Sequence, residues 1–144
     1  DLTHLKKIHH YIFQDIYSWA GQFRMVNISK ELLFCDVNFI EKELNKLFLK
    51  LKGENYLKDC SEDNIAAKAA YYLGEINAIH PFREGNGRTQ REFIRELLLP
   101  TGFYVDYSRC NAKMMLYASI NAFAGDYTLM TELFDKCIVR KPLN

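Results

Sequence analysis

Apolar residues recur three or four positions apart through almost the whole chain, and that spacing commits it to helices sharing one core. Leu2, Leu5, Ile8, Ile12, Ile16 and Trp19 form a first stripe, predicting a helix that Gly21 closes. Ile40, Leu44, Leu47 and Leu51 form a second, ending near Gly53. Ser61 is placed to cap a third helix carrying Ile65, Ala69, Leu73 and Ile76. That helix must stop by Ile79 or His80, because Pro81 disfavours helical geometry in the residue before it. Residues 88–99 predict a fourth helix with Phe93, Ile94, Leu97 and Leu98 inward, broken by Pro100 and Gly102. Two more patterns, 109–123 and 128–139, are separated by Gly125-Asp126. One stretch breaks the rule. Phe23–Ile28 and Leu32–Cys35 are β-prone runs around polar Ser29-Lys30-Glu31, which predicts a hairpin lacking an Asn-Gly turn. The class is all-α with one small β-hairpin, and 144 residues fit one domain, 1–144. The chain starts at Asp1 and not Met, which leaves room for it to be a fragment of a longer one.

Composition narrows the function classes. Nineteen Lys plus Arg balance eighteen Asp plus Glu, against the strongly basic surface that broad nucleic-acid binding uses. No apolar run nears the ~18 residues that span a bilayer, and no secretory leader is visible. Cys35, Cys60, Cys110 and Cys137 are scattered and never spaced as CxxC, so they read as free thiols of a cytoplasmic chain, not as zinc ligands.

The chemistry is concentrated in His80-Pro81-Phe82-Arg83-Glu84-Gly85-Asn86-Gly87-Arg88-Thr89-Gln90-Arg91. Gly85 and Gly87 flank Asn86 at a helix start, where the backbone can bend sharply and aim several N–H groups at one point. The helix end adds about half a positive charge, which suits phosphate. Arg88 and Arg91 lie three apart, so both can approach anionic oxygens there. Glu84 offers a hard oxygen for Mg²⁺ bound to phosphates. His80 can accept a proton near neutral pH. Each feature alone has a bland explanation: a turn, a cap, a solvated face. Together they describe a nucleotidyl- or phosphoryl-transfer site.

The stretch resembles the signature of the Fic family, His-x-Phe-x-Asp/Glu-Gly-Asn-Gly-Arg-x-x-Arg, at all eight defining positions. From average residue usage, a chance match is expected less than about once per billion starting positions. Trp19–Arg24 and Val26–Lys30 are similar to the family's lead-in and hairpin flap, and Ala118 and Gly125-Asp126 to its C-terminal core. The resemblance implies the Fic fold, a helical bundle with a short β-hairpin flap beside the active site. It implies protein adenylylation: AMP passes from ATP to a Tyr, Thr or Ser hydroxyl of a target protein, and pyrophosphate leaves. His80 would be the general base and Glu84 the Mg²⁺ ligand. Gly85, Asn86 and Gly87 would form the anion hole, with Arg88 and Arg91 on the phosphate tail. Phe82 would anchor the loop in the core. Val26, Asn27, Ile28, Ser29 and Lys30 would dock the target by strand addition, and Lys30 could approach ATP. For the adenine pocket the sequence offers only Tyr117.

Such enzymes are commonly restrained by a helix of pattern Ser/Thr-x-x-x-Glu-Gly/Asn, whose Glu pairs with the last Arg of the signature. Glu54-Asn55 has its ending but Lys50 its start; Thr128 and Glu132 fit, but Leu133 follows. A small antitoxin, or a segment outside these residues, is expected to supply the pattern. The resemblance fits a cytoplasmic bacterial toxin–antitoxin enzyme, or one delivered into a host cell. Three alternatives stay open: transfer of another nucleotide such as UMP or GMP, kinase-type phosphoryl transfer, and a decayed binding module.

Overall fold

A computed structural model of the chain describes residues 1–28 and 34–140. Among these, six α-helices form the body: α1 (Leu2–Phe13), α2 (Ile40–Gly53), α3 (Glu62–Ile79), α4 (Asn86–Leu98), α5 (Ala112–Phe123) and α6 (Thr128–Cys137). No helix among the described residues is long and apolar enough to cross a membrane.

Helix α3 is the axis. Its buried residues include Ile65, Ala66, Ala69, Tyr72, Leu73 and Ile76, more than one stripe. A helix apolar on several faces must be surrounded, and α2, α4, α5 and α6 all pack on it. Its alanines let those neighbours approach closely. The other helices bury one face each. Leu44, Leu47 and Leu51 do so in α2, as the spacing predicts, and Phe93, Ile94 and Leu98 in α4. Burying each such side chain contributes about 1.5–3 kcal/mol.

The helical bundle follows the expectation, and its strands lie elsewhere than the sequence suggested. The two-stranded sheet joins β1 (Phe103–Val105) and β2 (Ile138–Arg140), antiparallel, with Phe103 opposite Arg140 and Val105 opposite Ile138. Phe23–Ile28 and Phe34–Cys35, read as hairpin arms, are not strands among the described residues, and the tip, with Ser29 and Lys30, lies outside them. The physical reason is where the backbone groups of these arms bond. Arg24 N donates to Pro81 O (2.9 Å) and Cys35 N to Ala78 O (3.2 Å), so both arms attach to the end of α3. Helix α1 also stops at Phe13, short of Gly21. After it the chain folds back in tight turns that stack Tyr17 on Trp19 (4.3 Å), leaving Ile16 exposed.

That fold-back anchors α1 to the loop between α3 and α4 through His9, which is wholly buried. Its Nδ1 accepts the Gly21 N–H (2.9 Å), so Nε2 carries the proton and donates to the Glu84 carbonyl (2.9 Å). The ring stacks on Phe82 at 3.9 Å. Burial pushes the imidazole pKa down from its ordinary 6.5. The unfolded chain therefore binds the proton more readily, so the stabilisation is complete above about 6.5 and is lost as pH falls below it. The melting temperature should fall more steeply between about pH 7.5 and pH 5.5 for the native chain than for His9→Gln, which is less stable throughout. Circular-dichroism melts check this; parallel pH slopes would exclude the titration of His9.

Candidate active site

His80 ends α3. The helix closes with the His80 N–H on Ile76 O (2.9 Å), and His80 itself turns left-handed, at φ 51° and ψ 63°. A non-glycine residue holds that conformation only where its surroundings enforce it. The imidazole stacks on Phe34, rings 3.8 Å apart and 9° from parallel. Nδ1 lies 3.3 Å from the Asn77 carbonyl, to which it can only donate, so in the neutral imidazole the proton sits on Nδ1.

Beneath His80 sits Arg24, 4% exposed. Its Nε donates to His80 O (2.7 Å), Nη1 to Val26 O (2.8 Å), and Nη2 to Ile79 O (3.2 Å) and Cys35 O. The cation thus sits at the C-terminus of α3, where the helix dipole is negative. Burial lowers its pKa, while Cys35 and Asp36 oppose the shift; a guanidinium keeps its proton regardless.

The chain then reverses through a loop closed by side chains. Phe82 is 1% exposed. Asn86 Oδ1 accepts the Phe82 N–H (2.9 Å), and its Nδ2 donates to the Phe82 carbonyl (2.6 Å). The Asn86 amide is therefore spent on the loop itself, and what α4 offers a ligand there is backbone. Gly85 is left-handed at φ 81°, and a Cβ on it would come within 2.3 Å of the Phe13 ring, so both conformation and space demand glycine. The first bond of α4 is Thr89 N to Gly85 O (3.2 Å). The N–H groups of Asn86, Gly87 and Arg88 precede it and have no partner within the helix. A Cβ on Gly87 would lie 3.0 Å from Arg91 Nη1, so glycine leaves that guanidinium its place over the helix start.

Around these groups opens a cavity of about 820 Å³, in the range of nucleotide-sized sites. His80, Phe34 and Asn77 line one wall, Gly87, Gln90 and Arg91 another, and Met115, Leu116, Ser119 and Ile120 of α5 the apolar side. Tyr117, the aromatic suggested for adenine, is half exposed and not part of this lining. Tyr107 OH donates to Arg91 O (2.8 Å) and steadies the helix below its guanidinium. The structure thus gathers His80, Gly87 and Arg91 on one cavity. Arg88 lies instead on a neighbouring cavity of about 610 Å³ between α1 and α4, which Arg91 also lines. Residues three apart differ by about 60° around a helix, enough to separate their outlets. Glu84 is exposed just before Gly85. No group of three or more metal-binding side chains exists among the described residues. One hard carboxylate beside unpaired N–H groups fits a Mg²⁺ held mainly by substrate phosphates, not a dedicated protein cage.

Of the flap residues, Val26 is exposed, Asn27 is exposed and bonded, and Ile28 is half-buried; Ser29 and Lys30 lie outside the described residues. Asn27 Oδ1 accepts Val37 N–H (2.7 Å), and Nδ2 donates to Asp36 Oδ2 (3.3 Å). Glu54, which has the right ending for an inhibitory pattern, is engaged by Tyr72 and Lys68 at the end of α2. Two residues that shape the site were not singled out from the sequence. His9 falls four after Leu5 and four before Phe13, and that inward register was its signal. Arg24, set among Phe23, Met25 and Val26, was a charge in an apolar run.

Sequence and structure comparisons point to one family. The model of the Fic/DOC family matches residues 1–98. Protein adenylyltransferase VbhT of Bartonella schoenbuchensis is 39% identical over 145 residues, covering 100% of this chain and 30% of that protein. The protein y4lH of Sinorhizobium fredii is 44% identical over 128 residues, covering 88% of this chain and 67% of its own. The chain thus spans less than a third of the first relative and about two thirds of the second. Among solved structures, the N-terminal Fic domain of a VirB-translocated effector from Bartonella quintana, with bound ADP, superposes with a TM-score of 0.95 at 31% identity, over 98% of this chain and 74% of that one. The BepC protein of Bartonella tribocorum, with bound AMPPNP, gives 0.94 at 30% identity, over 99% and 76%. With the family model matched over residues 1–98 and these relatives alike in sequence and fold, this chain belongs to the Fic/DOC family.

Proposed function

We propose that the chain is a protein adenylyltransferase, moving AMP from ATP to a hydroxyl of a target protein. The observation that carries this reading is one cavity lined by both the His80 imidazole and the N-terminus of α4. Relatives bound to ADP and AMPPNP support a nucleotide there, and VbhT's name supports the transfer.

Triphosphate oxygens would meet the N–H groups of Asn86, Gly87 and Arg88, with Arg91 holding the far end and Arg88 reaching in from the neighbouring cavity. Bound Mg²⁺ would neutralise charge on the phosphates, held to the protein by Glu84. His80 Nε2 accepts the proton as the hydroxyl oxygen bonds to the α-phosphorus and the bond to the departing pyrophosphate breaks. The fixed N–H groups stabilise charge that grows on the phosphate in that step. The apolar wall from α5 would receive the base, and the flap, Val26 to Lys30, would hold the target as an added strand, with Lys30 near ATP.

A carboxylate supplied in trans, by a small antitoxin bearing the inhibitory pattern or by another segment, would pair with Arg91 and displace the γ-phosphate. Delivery into a host cell is one setting for this activity, in keeping with Bartonella relatives described as VirB-translocated effectors; action in the bacterial cytoplasm is the other.

Incubation with α- or γ-labelled ATP separates the chemistries. Label from the α position on protein supports AMP transfer, label from γ indicates a kinase, and neither indicates a binding module. His80→Ala should keep ATP affinity and lose transfer by about two or more orders of magnitude; near-normal transfer by the folded variant would remove His80 from the chemistry. Glu84→Ala should weaken Mg²⁺-dependent nucleotide binding, read by calorimetry, and leave metal-free binding little changed. An unchanged Mg²⁺ titration would sink that assignment.

A further inference from the structure

Arg24 donates to carbonyls on both sides of a boundary. His80 and Ile79 belong to the helix that carries the base; Val26 and Cys35 belong to the two arms of the flap. Its backbone N–H adds a bond to Pro81 O (2.9 Å). Phe34 of the second arm also meets this helix, its ring stacked on that of His80. Asn27 then ties one arm to the other through Asp36 and Val37. Hairpin arms are usually spaced by a ladder of their own; here the described arms are spaced by a buried planar cation whose donors are fixed in a fork.

We propose that Arg24 is a positioning residue that sets the register between a target segment on the flap and His80, so that it decides which hydroxyl is modified. This deepens the adenylyltransferase reading and rests on it. A strand paired with the flap advances about 3.3 Å per residue and alternates faces, so a slip of one position replaces the presented side chain altogether. Proton transfer to His80 tolerates far less displacement than that. The distance from flap to base must therefore be held tightly, and the Arg24 fork spans it. Lysine in its place keeps the charge at the end of α3 but, as a point donor on a flexible stem, cannot serve Val26, Cys35, Ile79 and His80 together.

The test uses the full chain with Mg·ATP labelled at the α position, and mass spectrometry to map the self-modified hydroxyls. Arg24→Lys should slow transfer roughly 10- to 100-fold while AMPPNP affinity stays within about twofold, and the label should spread to hydroxyls neighbouring the native ones. A folded Arg24→Lys with the native rate and the native map overturns the proposal. So does a loss of rate matched by an equal loss of AMPPNP affinity with the map unchanged, which is what a merely structural role produces. If Arg24→Lys does not fold, Asn27→Ala decides by the same readouts, since it loosens the arms without stranding a buried charge. A native chain that modifies nothing overturns the transferase reading and this proposal with it.

Discussion

The side-chain amide of Asn86 grips both backbone polar groups of Phe82, and the rest of the site depends on that closure. It turns the chain from α3 into α4 within a few residues. It seats Phe82 in the core, and it starts α4 where its unpaired N–H groups face the cavity wall opposite His80. Removing either partner would leave buried N–H or C=O groups unsatisfied, at about 1–3 kcal/mol each. Glycine on both sides of Asn86 is part of the same solution: Gly85 yields to the Phe13 ring and Gly87 to the Arg91 guanidinium. The signature is thus as much a packing solution as a set of ligands.

Two buried polar residues then fasten this loop to its surroundings, by opposite electrostatic means. His9 is neutral and uses both ring nitrogens, one as acceptor and one as donor. Arg24 is cationic and offers only donors, to carbonyls at a helix end that carries excess negative potential. Each is matched to what its neighbourhood lacks: a lone N–H and a lone carbonyl in the first case, a cluster of carbonyls in the second. Apolar replacements would fill the space but orphan those groups.

The helices were legible because their apolar spacing is local, and the stops at Gly53 and before Pro81 fell where α2 and α3 end. The residues of the signature were legible for the same reason: base, loop and cations are consecutive. Contacts made across distance were not. The end of α1 is set by stacking of Trp19 on Tyr17 and against His9, which no spacing rule anticipates. The described arms of the flap are joined through the side chains of Arg24 and Asn27 and not through a backbone ladder, so β-propensity there described residue types, not pairing. Arg88 and Arg91 looked equivalent in sequence and share the cavity beside α1, but only Arg91 also lines the one that holds His80, since a helix turns them apart.

The bond between His9 and Glu84 joins residues 75 apart in sequence, whereas the signature spans only positions 80–91. Closing the longer loop costs about 1.5 kcal/mol more in chain entropy than closing one of twelve residues. The signature loop can therefore assume its turn early and cheaply, as part of the α3–α4 hairpin, while its rigidity waits on the arrival of α1. A folding intermediate that lacked only α1 would hold every residue of the signature in the right order and still leave the carbonyl of Glu84 without its donor. Competence in this molecule thus waits on α1, the helix farthest in sequence from the loop it steadies.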